Sequence, residues 1–240
     1  MTNNLRLDDL NLDGLKLYQY VDGYAFTSDS VILANFIKTT HKDVCVEIGS
    51  GSGIISVLVN YKCKPQKIVC FEMQEKYANL TKLNFEFNKM NNVDIICDKV
   101  QNYKNHIEKP VDVVFCNPPY YKNNVCKKSE KEEIAIAKHE QYLTLEELIY
   151  CASKMLKFGG KFYFVYPAQR LDEIFVLLAK YNLTPKRMFF AQPTINKDAN
   201  TVYIECHKGG KCGVKILPTL VTNNLDGDYV ITIQKLYRDS

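Results

Sequence analysis

Asn117, Pro118, Pro119 and Tyr120 are the residues of this chain whose types and spacing carry the clearest chemistry, and they follow the apolar run Val111-Asp112-Val113-Val114-Phe115-Cys116. Two successive prolines donate no backbone hydrogen bond and fix φ, so they end a strand and lead the chain out of a sheet in a stiff, extended corner. Pro118 also keeps Asn117 out of helical geometry. Such a corner offers an amide side chain, carbonyls without strand partners and an aromatic ring. That set suits a flat, amine-bearing ring: the Asn117 side-chain oxygen and the Pro118 carbonyl accept its two N–H bonds while Tyr120 stacks on its face. A strand-ending loop that happens to hold two prolines carries the same residues. The choice rests on whether a cofactor site lies beside it.

Glu47-Ile48-Gly49-Ser50-Gly51-Ser52-Gly53 closes the first strong strand pattern. Glycines at a strand–turn–helix junction let the backbone approach a ligand at the helix N-terminus. The spacing is G-x-G-x-G, not the G-x-G-x-x-G of dinucleotide sites, and no Gly-Lys-Ser/Thr follows for a phosphate loop. Glu47 would repel a phosphate but serve a cationic ligand, directly or through water. The combination favours S-adenosylmethionine, with its ammonium beside a sulfonium, and makes a dehydrogenase the poorest reading. Glu72 ends the second strand pattern, where a carboxylate can accept both ribose hydroxyls. Met73 is suited to pack on adenine. Asp98, after the third, accepts the adenine amine or orients a neighbouring backbone N–H. Each acid alone reads as a solvated loop carboxylate; three at successive strand ends, where open α/β sheets bind ligands, read as a site. At the corner, an exocyclic adenine amine is a poor nucleophile because its lone pair is delocalised. Accepting both its N–H bonds lets the nitrogen pyramidalise toward a methyl sulfonium, a task of positioning and electrostatics with no strong general base.

Strand patterns cover Val44–Ile48, Lys67–Phe71, Val93–Cys97, Val111–Cys116, Lys161–Tyr166, Lys186–Ala191 and Thr201–His207. Between them, Leu145, Leu148, Ile149, Ala152, Met155 and Leu156 form one apolar helical stripe, with a Thr144/Glu147 capping box and Gly159-Gly160 as its terminator. A second stripe runs through Leu171, Ile174, Phe175, Leu178 and Tyr181, and a weaker third through Leu80, Leu83, Phe87 and Met90. Alternating strands and helices predict a parallel sheet covered on both faces, with an antiparallel hairpin at the end of the chain. Residues 122–140 read as a loop, and residues 1–40 as an extension of one domain spanning 1–240.

With 240 residues, 46% hydrophobic and 24% charged, the chain has enough apolar material for one sizeable α/β core. No stretch has the apolar length of a membrane span, and the first residues lack a signal peptide's apolar core, so a cytoplasmic location is expected. Nine cysteines include no C-x-x-C pair and no histidine at finger spacing, which predicts reduced thiols and no metal. Cys45, Cys70, Cys97 and Cys116 fall within strand patterns, as small apolar residues. A net charge of +4 permits an acidic partner without demanding one.

The Asn-Pro-Pro-Tyr and Glu-x-Gly-x-Gly-x-Gly motifs resemble those of class I S-adenosylmethionine-dependent methyltransferases that modify planar amines: adenine in nucleic acid, guanine in RNA, or the glutamine side chain of release factors. Further segments are more specific. Phe26-Thr27-Ser28-Asp29-Ser30-Val31-Ile32-Leu33-Ala34, Ala135-Ile136-Ala137-Lys138-His139-Glu140, Pro185-Lys186-Arg187-Met188 and Lys197-Asp198-Ala199-Asn200-Thr201 resemble the bacterial tRNA (adenine-N6)-methyltransferase family, from about Arg6 onward. That resemblance implies a Rossmann-like class I methyltransferase fold, with a seven-stranded, mostly parallel sheet, a C-terminal antiparallel hairpin strand and helices on both faces. It implies methyl transfer to N6 of adenosine 37 of a tRNA, leaving S-adenosylhomocysteine. By it, Thr27 and Asp29 close over the methionine end of the cofactor and His139 flanks the base. With no separate RNA-binding domain, Lys186, Arg187, Lys197, Lys208 and Lys211 are the candidates for gripping RNA, by contacts that weaken with salt. A solvated basic face is the plainer reading of each. Monomer and homodimer both remain open, and no obligate protein partner is implied. A release-factor enzyme is disfavoured by the short N-terminal segment, and a DNA enzyme by the lack of a target-reading domain. A non-catalytic RNA-binding sensor of S-adenosylmethionine is the alternative outside enzymes.

Overall fold

The computed structural model describes residues 4–118 and 142–224, together with Val230 and Leu236. Short apolar runs bounded by turn residues build a central sheet from β3 (Val44–Ile48), β4 (Lys67–Phe71), β5 (Val93–Ile96), β6 (Val111–Cys116), β7 (Leu156–Pro167), β8 (Leu183–Gln192) and β9 (Thr201–Lys208). Their order is β5-β4-β3-β6-β7-β9-β8. All neighbours run parallel except β9, which is antiparallel to both β7 and β8. The expected seven-stranded, mostly parallel sheet is therefore present, with β9 slotted between β7 and β8. Two short strands, β10 (Lys215–Ile216) and β11 (Leu220–Val221), lengthen the sheet beyond β8.

Helices cover both faces. On one lie α1 (Ser28–Phe36), α2 (Ile54–Cys63) and Phe85 of α3 (Glu75–Phe87), packed with Ile32, Leu33, Val57 and Leu58 against alternate residues of β3, β4, β6 and β7. On the other lie the 3-10 turn Val100–Asn105, α4 (Leu145–Met155) and α5 (Leu171–Lys180). The period-2 alternation of strands sends Val46 to one core and Cys45 to the other. Thr144 caps α4 as its sequence predicts, accepting from the Glu147 N–H at 3.2 Å while the Glu147 carboxylate accepts from the Thr144 N–H at 2.8 Å.

Several expectations are corrected. Gly159-Gly160 does not end α4; the helix stops at Met155 with Leu156 already extended, and the glycines lie within β7. Gly159 has φ +78°, and the β6–β7 register shifts between Val111 and Val113, so the pair makes a bulge. Cys97 lies beyond β5 and is exposed, unlike the buried Cys45, Cys70 and Cys116. The buried residues of α3 are Tyr77, Ala78, Leu80, Thr81, Asn84 and Phe85; of the expected stripe Leu80 is buried and Met90 packs on the core, while Phe87 is exposed.

The N-terminal segment forms an unforeseen hairpin, β1 (Leu5–Asp9) and β2 (Lys16–Tyr20). Its turn uses Asn11, Asp13 and Gly14 at positive φ, residue types that tolerate that region. Leu10, Leu12, Leu15 and Leu17 bury themselves in the α1–α2 core. The outer side of β2 is paired by side chains: Asn84 of α3 accepts from the Tyr18 N–H at 2.7 Å and donates to its carbonyl at 3.0 Å. Asn88, one turn on, does the same to Lys16. Among the described residues no helix is long and apolar enough to cross a membrane.

Candidate active site

The parallel strands β3, β4, β5 and β6 end along one edge, and a cleft opens there. Its walls include Gly49, Gly51, Glu72, Met73, Asp98 and Asn117. Gly49, Gly51 and Gly53 all have positive φ (71°, 56° and 80°), which L side chains resist. The loop is held from behind. Gly49 and Ser50 donate to the Phe71 carbonyl at 2.8 and 3.1 Å, the Thr81 hydroxyl donates to the Gly51 carbonyl at 2.9 Å, and Asn84 donates to the Ser52 carbonyl at 2.8 Å. A β-carbon on Gly53 would sit 3.0 Å from Thr81, whereas at Gly49 and Gly51 it would meet open space. Gly53 thus serves packing, and the first two keep the cleft clear for a ligand.

Glu72 accepts from the Gly51 N–H through one oxygen and from the Gln74 N–H through the other, both at 2.9 Å. A carboxylate has roughly four acceptor sites, so capacity remains for ligand hydroxyls. Burial raises its pKa, against the lowering from those backbone donors. Asp98 is committed to its own loop, accepting from the Lys99 N–H (2.7 Å) and Asn102 (2.8 Å) and pairing with His106 (2.9 Å). Those bonds, His106 foremost, hold its pKa below the ordinary value. This favours the second of its two expected roles, orienting backbone around Lys99 rather than reaching a ligand itself. Gln101, on the following turn, joins the Tyr142 carbonyl at 2.9 Å and so ties this wall to the start of α4.

Asn117 leaves β6 at the middle of this edge. It also lines a smaller adjoining cleft with Tyr24, Phe26, Ser30 and the glycine loop. The segment bearing Tyr24 and Phe26 is fixed at two points: the Tyr24 N–H donates to the Tyr77 hydroxyl at 2.7 Å, and the Phe26 N–H to the Gln19 amide oxygen at 3.0 Å. Ser30 receives a hydrogen bond from Asn117 Nδ2 at 2.9 Å. None of Tyr24, Phe26, Ser30, Tyr77 and Gln101 was singled out by sequence. Phe26 and Ser30 fall within the Phe26–Ala34 motif, but whether a side chain there points at a cleft is not written in its type.

The methyltransferase small domain model matches residues 25–180. The chain belongs to that family. Its cleft falls at the strand ends where the matched segment supplies both the glycine loop and Asn117. Relatives named tRNA1(Val) (adenine(37)-N6)-methyltransferase include one from Shewanella baltica, 25% identical over 221 residues and covering 90% of this chain and 92% of its own. Another, from Aliivibrio salmonicida, is 23% identical and covers 76% and 77%. Among solved structures, a methyltransferase from Pyrococcus furiosus superposes with a TM-score of 0.61 at 22% identity, covering 83% of this chain and 92% of its own. The AdoMet complex of M. jannaschii TYW2 gives 0.57 at 13% identity, covering 85% and 87%. These likenesses show the class I methyltransferase fold.

Within this family fold, some expected site residues lie elsewhere. Glu47 is not in the cleft: strand alternation turns it into the core, where Ser56 of α2 donates to one oxygen and its Oε1 has no hydrogen-bond partner. Burial pushes its carboxyl up to about 8, against the bonds from Ser56. Thr27 precedes α1, exposed, and Asp29 accepts from the Tyr203 hydroxyl at 2.8 Å, so neither lines the clefts. The basic residues also separate. The Lys208 ammonium donates to the Ser153 and Leu156 carbonyls (2.6 and 2.8 Å) at the C-terminal end of α4. Lys186 donates to the carbonyls of Lys211 and Gly213. Arg187 pairs with buried Glu205 and stacks over Phe36 at 4.7 Å. Register places Lys208 and Leu183 at the far edge of the sheet, and Thr201, opposite Pro167 and Ala191, at the cleft edge. Of the five, exposed Lys197, in the β8–β9 connection, is on the side of the site. Pro118 is buried. Pro119, Tyr120 and His139 lie outside the described residues.

Proposed function

We propose that this protein transfers a methyl group from S-adenosylmethionine to the exocyclic N6 of an adenosine in tRNA, adenosine 37 beside the anticodon, releasing S-adenosylhomocysteine. The observation that carries the reading is Asn117 opening onto the same cleft as the glycine loop and Glu72. The names of the curated relatives support adenosine 37 and tRNA. The residues fit the cofactor: Gly49 and Gly51 leave room where side chains would intrude, and Glu72 retains acceptor capacity at a buried wall. When bound, S-adenosylmethionine supplies an electrophilic methyl on a sulfonium.

The chain's own groups do the rest. Glu72 would accept hydrogen bonds from the ribose hydroxyls, Met73 would pack on the adenine, and Asp98 would orient the Lys99 backbone for it. Asn117 Oδ1 and the Pro118 carbonyl would accept the N–H bonds of the target amine and leave its lone pair free to attack, the methylated nitrogen then losing one proton to solvent, and Tyr120 would be the ring for the target base. A single-stranded or loop base can be extruded into such a site at a cost of a few kcal/mol. The test is methyl transfer from labelled cofactor to tRNA transcripts, with the product nucleoside mapped by mass spectrometry. N6-methyladenosine at position 37 is expected, and Asn117→Ala should lower kcat about 10²- to 10³-fold, the scale of losing one preorganised polar group. Methylated release-factor glutamine with untouched tRNA would refute the reading.

A further inference from the structure

Asn117 is gripped by a residue 87 positions earlier in the chain. Its Nδ2 donates to Ser30 Oγ at 2.9 Å, and Ser30 is 5% exposed. Ser30 lies in the first turn of α1, whose position against the sheet is set independently. Asp29 accepts from the Tyr203 hydroxyl of β9, and the Phe36 ring meets Tyr163 and Phe189 edge-on at 5.7 and 5.1 Å. The hydroxyl is therefore delivered to Asn117 by a rigid element. Both side chains line the smaller cleft.

An asparagine amide has two chemically opposite ends of nearly equal size. At the mouth of an amine-binding cleft the choice matters. An outward oxygen accepts the target's N–H, whereas an outward NH2 sets donor against donor and leaves both unsatisfied. We propose that Ser30 is a positioning residue for Asn117: a hydroxyl can meet either end of an amide, and in the arrangement present it accepts the Nδ2–H bond, which leaves Oδ1 as the end offered to substrate. The assignment rests on the reading of the protein as an amine methyltransferase and adds the residue that orients its amine acceptor.

The decisive comparison is Ser30→Ala in two backgrounds, Asn117 and Asn117→Asp. A carboxylate has two equivalent acceptor oxygens, so its orientation needs no fixing. In the Asn117 background, Ser30→Ala is expected to lower kcat on tRNA about tenfold, the factor set by one hydrogen bond, with the KM for S-adenosylmethionine and the melting temperature unchanged. In the Asn117→Asp background the same substitution should change kcat less than about twofold. Equal losses in both backgrounds, or a loss confined to the cofactor KM or to stability, would overturn the assignment in favour of simple helix packing. A second measurement needs no substrate. The Asn117 side-chain amide pair in a ¹⁵N–¹H spectrum, identified by its disappearance in Asn117→Asp, should shift and exchange faster with water in Ser30→Ala. An unchanged pair refutes the proposal. If the pair responds but the wild-type protein methylates no tRNA, the substrate reading fails and the positioning role stands.

Discussion

Glu47 and Glu72 show how little a residue type says without its environment. Glu47 lies within β3 and Glu72 just after β4, and the sequence reads both as ligand groups. Glu72 meets two backbone donors at the cleft wall, while Glu47 faces Ser56 and Cys70 in the core. The consequence for Glu47 is a pH-dependent stability. Its pKa is 4.5 ordinarily and about 8 when folded, so between these values the folded chain binds the extra proton. Its stabilising contribution is complete below about 4.5 and is lost as pH rises through about 8, at up to about 1.4 kcal/mol per pH unit. Urea unfolding midpoints of wild type and Glu47→Gln should therefore diverge between pH 5 and 8, with the variant relatively more stable at the alkaline end. For Glu72 the expectation concerns binding. Glu72→Ala removes a charged acceptor and should weaken S-adenosylmethionine by about 10²-fold in calorimetry, given about 1.5–3 kcal/mol per bond to a charged group.

At the scale of elements, the strands were legible because β3, β4 and β6 are short apolar runs closed by glycine, acid or proline, and covered strands need little else. The α3 stripe holds at Leu80 but not at Phe87, and its polar part escaped the apolar pattern for a physical reason. Thr81 and Asn84 are buried not as apolar filling but as partners for the Gly51 and Ser52 carbonyls and for the Tyr18 backbone of β2. An apolar stripe is the usual mark of a buried face, and here the buried face is polar because it completes another segment's hydrogen bonds. The hairpin was missed for the complementary reason: two strands alone are marginal, and these persist by docking on α3 and the α1–α2 core. Asn84→Ala should cost roughly 3 kcal/mol by leaving the Tyr18 and Ser52 groups unpaired. It should also raise the KM for S-adenosylmethionine several-fold, because the glycine loop loses one of its anchors. Thermal unfolding and steady-state kinetics on the same variant measure both.

For the whole molecule, the deciding fact is which edge of the sheet a residue occupies. Lys197, Lys208 and Lys211 look alike in sequence, yet the β8–β9 connection carries Lys197 to the cleft edge while Lys208 caps α4 at the far one. Lys197→Glu is expected to raise the KM for tRNA about tenfold at low salt, with the difference shrinking as salt rises. Lys208→Ala should leave that KM unchanged and lower stability by about 1 kcal/mol, the worth of a cation at a helix C-terminus. Filter binding across a salt series, with denaturation alongside, separates the two. The sheet, the glycine loop and the end of β6 at Asn117 were all readable from sequence, because those features depend on backbone freedom and apolar runs that are local. Packing decided that Ser30 meets Asn117 while Thr27 and Asp29 line neither cleft, that Glu47 is core, and that most of the basic residues serve the fold. Each of those outcomes depends on where a strand or helix face points after packing, and residues 87 positions apart share no local pattern. The end of β6 at Asn117 is thus written in the chain, while the Ser30 hydroxyl that meets its side chain is brought there by the fold.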